Sequence, residues 1–76
     1  MISKVLLWST EVIETFDESG SEVRLFQGRL SDILVPLLER TGKDTKFMLG
    51  FFGIGQTEVS RDEWEVQAKY FIERNR

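Results

Sequence analysis

The sequence contains no cysteine and no histidine, and only one proline in 76 residues. Without cysteine there is no disulfide staple and no thiolate, either as nucleophile or as metal ligand. Without histidine the commonest general base and the commonest metal ligand are gone as well. Long apolar runs are also missing, since nothing approaches the roughly 18 residues of a membrane-spanning helix. The apolar part of Met1-Ile2-Ser3-Lys4-Val5-Leu6-Leu7-Trp8 is too short for a secretory h-region, and no small-residue cleavage site follows. These absences lead to the expectation of a cytoplasmic protein with no membrane partner, no cofactor and no metal.

What is present is apolar side chain: 41% of residues are hydrophobic and 12% aromatic, against a net charge of −3. A disordered acidic segment is poorer in both, so a folded chain is expected, with residues 1–76 as a single domain. There is no repeat, linker or low-complexity stretch. Charge is uneven: residues 1–22 sum to −4, residues 23–46 to +2 and residues 47–76 to −1.

Asp17-Glu18-Ser19-Gly20 reads as a hairpin turn, with Gly20 free to take a positive φ. If Asp17 faces Ser21, then Thr15 meets Val23, Glu14 meets Arg24, Ile13 meets Leu25 and Val12 meets Phe26. That register predicts a long strand over residues 3–16 and a second over 22–28. Leu30, Ile33, Leu34, Leu37 and Leu38 form one helical stripe, with Ser31 as the expected N-cap, Gly42 as the stop and Pro36 as a kink or tightened turn. Lys46 to Ile54 reads as a strand buried on both faces. The C-terminal segment supports two readings. Trp64, Val66, Ala68, Tyr70 and Ile72 alternate with polar residues as in a strand, broken only at Phe71, whereas Ser60 and Glu63 form the capping box of a helix. The fold class expected is α+β: a small antiparallel sheet with one helix packed on it, ββαββ, with ββαβα as the alternative.

No chemical motif survives comparison with what its chemistry needs. Gly50-Phe51-Phe52-Gly53-Ile54-Gly55 reverses the order of a dinucleotide-binding glycine loop, and the acids Glu58, Asp62 and Glu63 follow it. The acidic turn 17–22 lacks the alternating spacing of a calcium loop. A chain of this size leaves little room for a cleft between two catalytic carboxylates. A non-enzyme is therefore expected.

Two binding readings remain. The apolar residues exceed what one helix can cover on one sheet face, which points to a protein-interaction domain: a small adaptor or inhibitor, or a homodimer, docking a sheet face or strand edge. Compact, motif-poor accessory proteins of bacteria and phages are often of this kind. Trp8, Phe26, Phe51, Phe52 and Trp64 are the expected interface residues, because aromatic anchors dominate interface energetics. The alternative is a single-stranded nucleic-acid-binding module using Arg24, Arg29, Arg40, Lys43 and Lys46 with aromatic stacking. The net negative charge opposes it.

Overall fold

The computed structural model describes residues 2–24 and 28–74. Their elements run β1 (Lys4–Trp8), β2 (Ile13–Phe16), α1 (Leu30–Glu39), β3 (Lys46–Phe51), β4 (Gly55–Val59) and α2 (Arg61–Arg74). The four strands form one sheet in the order β2-β1-β3-β4. The α+β class holds, but the sheet is mixed: β1 pairs antiparallel with β2 and parallel with β3, and β3 pairs antiparallel with β4.

The expected strand over residues 3–16 is folded back on itself. The Trp8 N–H donates to the Val12 carbonyl at 2.9 Å and the Glu11 N–H to the Trp8 carbonyl at 2.9 Å. Glu11 closes this turn at φ 71. Glycine or asparagine usually fills such a left-handed position, so Ser9-Thr10-Glu11 carries no turn signal. The next turn keeps the expected register: the Asp17 N–H reaches the Ser21 carbonyl at 2.9 Å and the Val23 N–H the Thr15 carbonyl at 2.8 Å. Beyond the single bridge Phe16↔Glu22 no second strand forms through Arg24. The expected partners Leu25 and Phe26 lie outside the described residues.

Asp17 organises that turn. Its carboxylate accepts the Ser19 hydroxyl at 2.7 Å, the Ser19 N–H at 2.9 Å and the Ser21 N–H at 3.0 Å. These bonds, the Ser19 hydroxyl foremost, hold the Asp17 carboxyl below its ordinary range. A depressed native pKa stabilises the fold above the unfolded value and stops doing so as pH falls through the native one. Asp17→Asn is therefore expected to lower the thermal midpoint at neutral pH, with the difference shrinking as pH falls through the depressed native pKa. Melting curves across that acid range check it.

α1 starts two residues earlier than the Ser31 cap implies. Arg29, extended at φ −77 and ψ 151, is the N-cap and offers no side-chain bond. Both the Asp32 and Ile33 N–H groups converge on the Arg29 carbonyl at 2.9 and 3.2 Å, which tightens the first turn. The helix passes through Pro36, and the buried stripe of Leu30, Leu34, Leu37 and Leu38 is continuous across it. It ends at Arg40 and Thr41: the Thr41 hydroxyl donates to the Leu38 carbonyl at 2.7 Å, ahead of Gly42. Arg61 lies across this C-terminus, donating to the Thr41 hydroxyl at 3.1 Å and the Leu38 carbonyl at 3.4 Å. A cation belongs there electrostatically.

The C-terminal segment is a helix, the second of the two sequence readings. Ser60 accepts the Glu63 N–H at 3.1 Å as an N-cap. Trp64, Ala68 and Phe71 are buried while Val66 and Tyr70 are exposed. The period-2 alternation was thus coincidental, and the short local cap carried the correct information. α1 and α2 pack on one face of the sheet over Val5, Leu7, Phe47 and Leu49. Among the described residues the other face carries no helix.

Candidate docking surface

Strand alternation and register place Lys4, Leu6 and Trp8 of β1 on the helix-free face with Glu14, Phe16, Lys46, Met48, Gly50, Gln56 and Glu58. Most of this apolar surface is covered by its own neighbours. Trp8 lies flat over Gly50, where a Cβ would stand 2.5 Å from the ring. Its indole N–H donates to the Glu14 carboxylate. The Lys4 ammonium sits 4.3 Å from the Phe16 ring centroid, a cation–π contact. Leu6 beneath them is fully buried. The surplus read from the sequence is therefore absorbed over most of the face without a partner.

It is not absorbed at the β3–β4 turn. Phe51, Phe52 and Ile54 are 40%, 61% and 86% exposed within four residues. The expected buried strand stops at Phe51, and the Ile54 N–H returns to the Phe51 carbonyl at 3.0 Å. Gly53 has φ 81, the value required at the third position of a type II turn. Phe52 stacks on Trp8 with ring centroids 4.9 Å apart and planes at 17°. The Ser9 N–H donates to the Gly50 carbonyl at 3.0 Å, tying the β1–β2 turn to β3 just before the tip. Alternation turns Phe51 to the helix-bearing face, while Phe52 is backed by a side chain held on both of its own faces. Neutral and preorganised, it is suited to burying apolar surface against a partner.

Of the expected interface residues, Trp8, Phe51 and Phe52 meet at or beside this tip. Trp64 does not. It is wholly inside the domain, its ring 5.5 Å from that of Phe47 and its N–H donating to the Met48 carbonyl at 3.2 Å. The reason is the helix: α2 turns Trp64 onto the sheet. Phe26 lies outside the described residues. Ile54, the most exposed of the tip residues, was missed because it ends an apolar run. The flanking Gly53 and Gly55 were the signal that the run was turning.

The basic residues of the alternative reading are dispersed. Arg29 and Arg40 cap opposite ends of α1, about 16 Å apart by helix rise. Lys43 lies in the following loop, Arg24 follows the bridged segment beside β2, and Lys46 points to the helix-free face. Phe47, the neighbouring aromatic, is buried under the helices. Among the described residues no helix is long and apolar enough to cross a membrane. Comparison of the chain with protein-family models, curated proteins and solved structures finds no match in any of the three.

Proposed function

We propose that this chain is a non-catalytic protein-interaction domain, a small adaptor or inhibitor of the cytoplasm, that docks through Phe52 and Ile54 with Trp8 and Phe51 behind them. The observation that carries this reading is the exposure of Phe51, Phe52 and Ile54 about one strand turn, with Phe52 seated on Trp8. Burying a large apolar side chain contributes about 1.5–3 kcal/mol, and preorganisation spares the cost of ordering a loop. The action is steric: the tip fills an apolar pocket on the partner and blocks or bridges whatever lies there.

The double variant Phe52→Ser with Ile54→Ser tests it. Neither residue belongs to the buried core, so the far-ultraviolet circular dichroism should be retained and the midpoint should fall only by what the Phe52–Trp8 stack contributes. Tagged native chain should retain a stoichiometric protein from nuclease-treated lysate of its source cells, and the variant should lose it. Recovery that disappears with nuclease, or that is equal for native chain and variant, removes the tip from the mechanism.

A further inference from the structure

The sheet has two edges, and among the described residues only one of them has chain running alongside it. Alongside β2 run the bridge Phe16↔Glu22 and the bond from the Val23 N–H to the Thr15 carbonyl. β4 has β3 on one side and, among the described residues, no strand on the other. Gly55-Gln56-Thr57-Glu58-Val59 carries none of the lysines or prolines that usually blunt a free edge. Nor does α2 cover it. Thr57 is exposed, and Leu49, Asp62, Glu63, Val66 and Gln67 line an open cleft between that helix and the sheet.

We propose that this edge is the seam of a two-fold dimer, in which β4 pairs antiparallel with β4 of a second copy about an axis at Thr57 to form one eight-stranded sheet. The occupant is a second copy because the edge is complementary to itself in one register. Directly opposed residues in a sheet point to the same face, so only residue-centred registers continue it. Centred on Glu58, the pairing sets two carboxylates against each other. Centred on Gln56, it runs into the Gly53–Gly55 turn. Centred on Thr57, all five residues pair: Gln56 opposes Glu58 of the second copy, amide against carboxylate, twice by symmetry. The helix side agrees. Leu49 is the register partner of Thr57, and Val66 lines the same cleft as Leu49. Val66 is 63% exposed, and Tyr70 one turn further along α2 is exposed too. A second copy brings its own Val66 to the other side of the seam.

Light scattering and sedimentation on the full chain should give a concentration-dependent mass of twice 8.9 kDa. Thr57→Lys should return the monomer with an unchanged circular dichroism spectrum. The chain has no cysteine, so single thiols report register without interference. Opposed antiparallel residues have Cα atoms about 4.5–5.5 Å apart, within disulfide range. In a glutathione redox buffer Thr57→Cys should cross-link at least tenfold faster than Glu58→Cys, and the cross-linked chain should keep its native spectrum. A chain monomeric up to about 1 mM overturns the proposal. So does faster cross-linking through Glu58→Cys, or a dimer that Phe52→Ser abolishes and Thr57→Lys leaves intact. The seam and the docking tip fail separately, since a monomer can still lose its partner through Phe52→Ser and Ile54→Ser.

Discussion

Trp64→Ala is expected to remove a large share of the stability of the fold. Trp64 has no exposed surface, packs its ring on Phe47 and satisfies its N–H on the Met48 carbonyl. Truncating a buried tryptophan costs about 3–5 kcal/mol, because the surrounding side chains collapse only partly into the cavity. At about 0.05–0.15 kcal/mol per residue, a domain of this size is stable by roughly 4–11 kcal/mol. The loss therefore consumes most of the lower estimate. Urea denaturation followed by far-ultraviolet circular dichroism measures it directly. Trp64→Phe keeps most of the ring contact and gives up the bond to Met48, so a loss of about 1–3 kcal/mol with retained folding is expected. If both variants match the native midpoint, α2 is not seated on the sheet through this residue.

Gly50→Ala should cost about 1–3 kcal/mol, an unusually large effect for one methyl group. The added carbon would stand 2.5 Å from the Trp8 ring, well inside van der Waals contact. The ring has little freedom to slide, because Glu14 holds its N–H and Phe52 covers its other side. Relief has to come from the strand or from expelling Trp8. Near-ultraviolet circular dichroism should register the displaced indole, and Phe52 should lose its support. A double-mutant cycle separates this clash from generic strand effects: in a Trp8→Ala background the cost of Gly50→Ala should fall to near zero. A cost equal in both backgrounds would place the strain in the backbone of β3.

How far the sequence reveals this architecture depends on whether the deciding interaction is local. The stripe of α1 and the register of the 17–21 turn are legible because neighbouring residues settle them. The Ser60–Glu63 cap was legible too, yet a chance alternation from Trp64 to Ile72 competed with it, and only packing on Phe47 separates the two. The turn at Ser9–Val12 was hidden because a glutamate holds the left-handed position. β4 was hidden because Gln56, Thr57 and Glu58 face solvent on both sides of an edge, so no hydrophobic alternation marks the strand. At the docking tip, Trp8 and Phe52 could be named from composition, whereas Ile54 required the turn geometry. Trp64 illustrates the limit of naming aromatics as interface residues. The same side chain anchors a core or a contact, depending on which face its element presents.

The central pairing of β1 with β3 also bears on how the molecule acquires its structure in time. Each hairpin closes over near neighbours in sequence, and a two-stranded hairpin alone is at best marginal in water. The bonds between them align Lys4 with Lys46 and Trp8 with Gly50, across an intervening segment that contains β2 and all of α1. Closing that loop loses chain entropy before any tertiary contact offsets it. On the ribosome the early hairpin has only α1 to pack against until β3 has emerged. The two halves of the sheet are therefore expected to become fully stable only together.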